Sequence, residues 1–223
     1  MLKKNSIFLG LSLILIVVLG LALLCVPKGD LHLFLCGHHT HARDIFFRYY
    51  TQVAEWFPYI VCVALLLFSR VGNGIFASAC MILSALTTQL FKHIINAPRP
   101  IRWFEDNMPD VQLPLVDGVN MHSWFSFPSG HTTSFFALAF VLCILLTSQK
   151  STIINHKLQI ALQIILVFFA TLGAYSRIYL SQHFALDVFA GICVGIGITM
   201  LMYVIFYRFE GQKWYNYRLF TKK

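Results

Sequence analysis

Apolar residues fall in long unbroken blocks along this chain, separated by shorter stretches where charge, proline and aromatic residues mix. The blocks are Ile7–Val26, Phe57–Phe68, Ile75–Ile95, Thr132–Thr147, Ile160–Ala174 and Phe184–Phe206. A helix needs about 20 mostly apolar residues to cross a bilayer core of about 30 Å. The blocks therefore predict an all-α, polytopic membrane protein with six transmembrane helices, the short second one borrowing flanking residues. No internal repeat, Pro/Gly/Ser linker or low-complexity tract interrupts them, so residues 1–223 read as a single integral membrane domain. The first block is longer than a signal-peptide core and has no Ala-x-Ala-like end, which makes it a span and not a leader.

Composition agrees, with 58% hydrophobic and 12% charged residues. Orientation follows from the basic residues, because Lys- and Arg-rich loops stay cytoplasmic. With the N-terminus inside, ten of the 17 Lys and Arg lie in inner segments, and eight of the nine acids lie in outer ones. Both termini are then cytoplasmic, and the net charge of +8 is a topology signal that gives no reason to propose a nucleic-acid partner. Five of six cysteines fall within spans; Cys36 alone is clearly in an outer segment, so a disulfide framework is not expected.

Two outer segments are long enough to have structure. Pro27–Glu55 mixes aromatic and apolar residues with Arg43 and Arg48, suiting short helices on the membrane surface. Ile101–Phe127 carries Trp103, Trp124, Phe125 and Phe127 among acids and prolines, and is the expected reader of a head group. The tail from Arg208 interleaves Trp214, Tyr215, Tyr217 and Phe220 with bases, a pattern expected to anchor at the inner interface.

The remaining polar groups concentrate at the outer ends of the spans. Lys92-x6-Arg99-Pro100 ends the third, Pro128-Ser129-Gly130-His131 opens the fourth, Ser176-Arg177 ends the fifth, and His183-x3-Asp187 opens the sixth. His183 and Asp187 are four apart and share a helix face, so the carboxylate is placed to accept from one imidazole nitrogen and free the other as a nucleophile. Ser129 and Gly130 at a helix start offer anion-binding N–H groups and a hydroxyl, with His131 beside them as an acid. Lys92, Arg99 and Arg177 supply the positive charge that a phosphoryl group requires. Pro98 and Pro100 are expected to stop the helix and leave Arg99 in extended chain.

These three motifs, in this order and without departure at any position, resemble the tripartite signature of the type-2 phosphatidic acid phosphatase superfamily, which also includes the vanadium haloperoxidases. The resemblance implies a metal-free, cofactor-free lipid phosphatase. His183 would attack phosphorus with Asp187 assisting, and His131 would protonate the leaving group and then activate water. Lys92, Arg99, Ser129, Gly130 and Arg177 would hold the phosphate. It is similar to small bacterial envelope members, which implies an active site on the periplasmic face of the inner membrane and a bilayer lipid as substrate, with no obligate protein partner. Lipid A is favoured, then undecaprenyl pyrophosphate, with phosphatidylglycerol phosphate as an alternative. Transfer to a lipid or sugar hydroxyl uses the same groups and stays open beside hydrolysis. A lipid transporter would have no use for the two histidines. The run Cys36-Gly37-His38-His39-Thr40-His41 has metal-capable side chains but is not expected to hold a metal.

Overall fold

The computed structural model describes residues 2–54, 56–148, 155–209 and 211–218. Glu55, Lys150, Glu210, Phe220, Lys222 and Lys223, used in the charge and tail reading, lie outside the described residues. Among the described residues the chain is helical without strands: α1 (Ser6–Cys25), α2 (Lys28–Cys36), α3 (His41–Tyr50), α4 (Trp56–Ser69), α5 (Val71–Ile95), α6 (Pro100–Asn107), α7 (Gly130–Ser148), α8 (His156–Tyr179) and α9 (Ala185–Tyr207).

Five of these, α1, α5, α7, α8 and α9, are long and apolar enough to cross a membrane. The expected second span, Phe57–Phe68, is the exception: α4 has 14 residues, about 21 Å at 1.5 Å per residue, and falls short of a full crossing alone. It nonetheless joins opposite ends of the bundle. Thr51, just before it, bonds to Arg177, whereas Arg70, just after it, lies beside the tail residue Asn216.

α8 is longer than the fifth apolar block at both ends, by four residues before Ile160 and five after Ala174. Asn155 caps α8 by accepting from the Leu158 amide at 2.9 Å. The buried Gln163 accepts from the Phe8 amide and donates to the Lys4 carbonyl, both at 3.0 Å. A glutamine in a span thus satisfies backbone groups at the start of α1.

α7 is the central helix, packed against α5, α8 and α9. Of its span window 72% is buried, against 11% for α1. Phe135, Phe136 and Phe140 fill the space around it, with Phe8 stacked on Phe140 at 5.0 Å. α9 meets α7 through Gly191 and Gly195, four apart on one face. A Cβ at Gly191 would come 2.8 Å from the Ser129 carbonyl oxygen, and one at Gly195 2.6 Å from that of Thr133. Only hydrogen fits there, and this close approach brings the first turns of the two helices together. Gly195→Ala is expected to destabilise the fold by about 1–3 kcal/mol, while Gly197→Ala, facing open space, is neutral; thermal unfolding in detergent compares the two.

The tail also packs against the bundle. Tyr215 is buried, its ring covering Gly72, and the carbonyls of Tyr217 and Tyr215 accept from the Val71 and Gly72 amides at 2.9 and 3.0 Å. α5 has no side-chain cap at this end, so the tail provides acceptors for donors that helix geometry leaves free. Trp214 and Tyr217 remain exposed.

Pro27–Glu55 contains two short helices, α2 and α3. Ile101–Phe127, the other segment expected to have structure, begins within α6. Pro100 suits the first helical position, and Arg102 pairs with Asp106 at 2.9 Å, one turn on.

Candidate active site

Four helix ends meet at one end of the bundle, each for a local reason. α5 stops at Asn96, which takes the left-handed conformation at φ 44° and donates its amide to the Lys92 carbonyl. Arg99 follows in extended chain at φ −78°, ψ 165°, as the flanking prolines predict. The returning loop runs alongside: the Arg99 amide donates to the Ser123 carbonyl and the Ser126 amide to that of Ala97. α7 starts at Gly130, and the Ser129 hydroxyl oxygen accepts from the Thr132 amide and hydroxyl at 3.4 and 2.9 Å. The turn after α8 folds back so that the Gln182 and His183 amides both donate to the Arg177 carbonyl. α9 starts at Ala185, and Asp187 caps it by accepting the Phe184 amide at 2.8 Å. The Ser129 amide donates to the Asp187 carbonyl at 3.0 Å, tying the second motif to the third.

These ends enclose a cavity of about 400 Å³ with Lys92, Arg99, Gly130, His131, Arg177 and His183 on its wall. Ser129 and Asp187 are buried behind that wall. All eight residues singled out from sequence are therefore together, six facing the cavity and two supporting it. The reader segment contributes Val119, Asn120 and His122 to the rim.

The His183–Asp187 pair differs from expectation. Nδ1 and Oδ2 are 3.5 Å apart, because Oδ2 is already engaged by the Phe184 amide and by the Ser126 hydroxyl at 2.5 Å. Ser126 Oγ is 3.4 Å from His183 Nδ1 and so touches both imidazole and carboxylate from one side. Burial, together with the charges of Arg99, Arg177 and Lys92, holds the His183 imidazole well below its ordinary range and therefore neutral.

The two arginines share one acceptor. Gln182 Oε1 accepts from Arg99 at 2.8 Å and from Arg177 at 3.4 Å, while its amide nitrogen donates to the Asn120 carbonyl. Arg99 also donates to the Trp124 carbonyl and Arg177 to the Thr51 hydroxyl at 2.6 Å. Ser126, Gln182 and Thr51 were not indicated by motif or spacing. Gln182 and Ser126 at least neighbour motif residues in sequence, whereas nothing links Thr51 to Arg177 before the chain folds. In the histidine run, His39 Nδ1 lies 2.9 Å from Asp44 and its ring stacks on Tyr179 at 4.3 Å, which commits it to holding the loop on α8.

A neutral imidazole, a second imidazole and three cations around one cavity suit a phosphoryl group, and a helical membrane bundle presenting them is the architecture of a known family. Over residues 73–210 the sequence matches the PAP2 superfamily, and the chain belongs to it. It is 34% identical over 100 residues to phosphatidylglycerophosphatase B of Bacillus subtilis, covering 45% of this chain and 46% of that protein. It is 31% identical over 150 residues to dolichyldiphosphatase 1 of Dictyostelium discoideum, covering 66% and 59%. The chain thus spans about half the length of the curated relatives it matches. Among solved structures it resembles Aquifex aeolicus LpxE with a TM-score of 0.59 at 25% identity, over 78% of this chain and 92% of that one. It shares its fold with a transmembrane PAP2 type phosphatidylglycerolphosphate phosphatase from Bacillus subtilis, with a TM-score of 0.62 at 23% identity over 96% and 100%.

Proposed function

We propose that this chain is a metal-independent lipid phosphate phosphatase working through a phosphohistidine. The observation that carries the reading is the presence of His183, His131 and the cations Lys92, Arg99 and Arg177 on one cavity wall. His183 attacks phosphorus with a free nitrogen lone pair, forming the N–P bond as the P–O bond to the lipid breaks. His131 gives its proton to the departing alkoxide and then takes one from the water that cleaves the N–P bond, returning His183 and releasing inorganic phosphate. Lys92, Arg99 and Arg177 balance the charge on the equatorial oxygens, the task that metals perform in other phosphoryl-transfer sites. Gly130 offers its amide at the α7 N-terminus, Ser129 supports that turn, and Asp187 acts on His183 with Ser126.

Residues 1–223 act as one domain that crosses the bacterial cytoplasmic membrane six times with the site on the periplasmic side. A parity argument supports this. The end of α1, through α2, and the end of α5 both belong to the site face, so the chain between them must return to the opposite face, and α4 makes that descent. The bias of Lys and Arg places the opposite face inside.

The substrate is a bilayer lipid whose phosphate protrudes while its chains stay in hydrocarbon. Lipid A phosphate groups are the first preference, on whole-chain likeness, and undecaprenyl pyrophosphate the next. Phosphatidylglycerol phosphate is a second reading favoured by the name of the 34% identical relative. The test is phosphate release in mixed micelles from these three lipids, in excess chelator, with His183→Ala as blank. Release that persists in chelator is expected. A loss restored by a divalent ion would remove the metal-free mechanism, and turnover that depends on an added hydroxyl acceptor would make the protein a transferase.

A further inference from the structure

The cavity does not end at the cations. Its wall continues along the seam between α5 and α7, past Gln89, Thr88, Ala85 and Ser84 on one side and Thr133 and Ser134 on the other. Ser84, Thr88 and Lys92 follow at four-residue spacing on one helix face, which puts Ser84 about 12 Å along the axis from Lys92, away from the site end. Ile82, Leu86 and Leu90, on the same turns, are about 60% exposed and form an ordinary lipid-facing surface. The seam is polar where its surroundings are not.

Two of its hydroxyls are satisfied locally: Thr88 donates to the Ser84 carbonyl at 2.8 Å and Thr133 to the Ser129 carbonyl at 3.0 Å. Ser84 differs. Its side chain is buried, lines the cavity, and has no hydrogen-bond partner for its Oγ. A buried hydroxyl without a partner is costly in an apolar setting. Beside it Ala85 and Gln89 are exposed, so the seam opens sideways out of the bundle.

Resting on the lipid-phosphatase reading, we propose that this seam is a specificity subsite for the oxygenated linker between phosphate and acyl chains, with Ser84 and Gln89 as its reading groups. A lipid with its phosphoryl group at the cations and its chains in hydrocarbon must lay the intervening atoms along a path out of the bundle, and the seam is such a path. In a glycerolipid or acylated-sugar phosphate those atoms include ester carbonyls and hydroxyls, which the Ser84 hydroxyl and the Gln89 carboxamide can bind. In a polyprenyl phosphate they are hydrocarbon, which leaves Ser84 unpaired and strips water from Gln89 without return. Sites built to hydrogen-bond a substrate group discriminate against analogues lacking it.

The test compares dioleoyl phosphatidic acid with undecaprenyl monophosphate in mixed micelles, using the purified full chain and reading kcat/KM for phosphate release. Wild type is expected to prefer phosphatidic acid at least tenfold. Ser84→Ala and Gln89→Leu are each expected to lower that ratio about tenfold, chiefly through KM. A wild-type ratio at or below one, or variants that keep the wild-type ratio, overturns the subsite while leaving the phosphatase reading intact. Release from neither lipid overturns the subsite, and the phosphatase reading falls with it when lipid A, undecaprenyl pyrophosphate and phosphatidylglycerol phosphate also release no phosphate. The wild-type ratio needs no variant, so a substitution that fails to fold does not shield the proposal.

Discussion

Replacing His183 with alanine is expected to lower phosphate release by about 10⁴-fold or more, the scale seen when a covalent nucleophile is removed. No neighbouring side chain substitutes for it. Asp187 and Ser126 lie behind the cavity wall, and His131 belongs to a different helix with its own role. The variant should still fold, because the deleted ring is neutral and leaves no uncompensated charge; thermal unfolding alongside the assay checks this. Activity near that of wild type would remove the phosphohistidine. The depressed His183 pKa also sets a pH signature. The attacking form persists below the ordinary imidazole value of 6.5, so the acid limb of kcat/KM assigned to it lies below that value. Stability carries the same sign. His32, outside the spans, is pushed down to about 4 by burial, with Lys28 adding and Asp187 opposing. As pH falls below 6.5 the unfolded chain takes up protons at His32 and His183 that the folded chain refuses, so Tm is expected to drop between pH 6.5 and about 4. A Tm that rises over this interval would contradict the neutral assignment.

Arg177→Lys is expected to lower kcat by about 10²–10³-fold with a smaller change in KM, the size of effect found when a donor aimed at transition-state charge is lost. The substitution keeps the charge and removes the fork. Arg177 reaches Thr51 and Gln182 through different nitrogens, and one ammonium cannot hold both while also facing a phosphoryl oxygen. Gln182→Leu should cost less, about tenfold, since it leaves both guanidiniums present but no longer bridged. If Arg177→Lys retained full kcat, Arg177 would be a charge only and the Gln182 bridge a packing feature.

Much of this was legible before folding. Hydropathy blocks locate α1, α5, α7 and α9 within a few residues because a membrane helix must be apolar for most of its length. The same rule misses the first turn of α8, where His156, Lys157 and Gln159 interrupt the apolar run although the chain is already helical, and it overstates α4, whose 14 residues are too few for a crossing alone. The eight candidate residues carry their own spacing and lie at or beside helix ends, where unpaired backbone groups favour an anion. Thr51 and Gln182 escape because their work is to orient arginines, which needs no particular interval in sequence. Ser126 escapes for a different reason. A direct His183–Asp187 bond is the simplest reading of residues four apart, and the cap that Asp187 forms with its own helix through the same oxygen, which leaves Nδ1 3.5 Å away, has no signature beyond its position.

The seam between the tail and α5 bears on how the molecule is made. A ribosome releases Lys92 and the rest of α5 long before it reaches Tyr215 and Tyr217, so the amides of Val71 and Gly72 must wait on water or on lipid head groups until the tail emerges. The helix that carries one wall of the cavity gains its final anchor last. Two of the backbone bonds that hold the α5 wall in place are thus formed only after Tyr217 has been made.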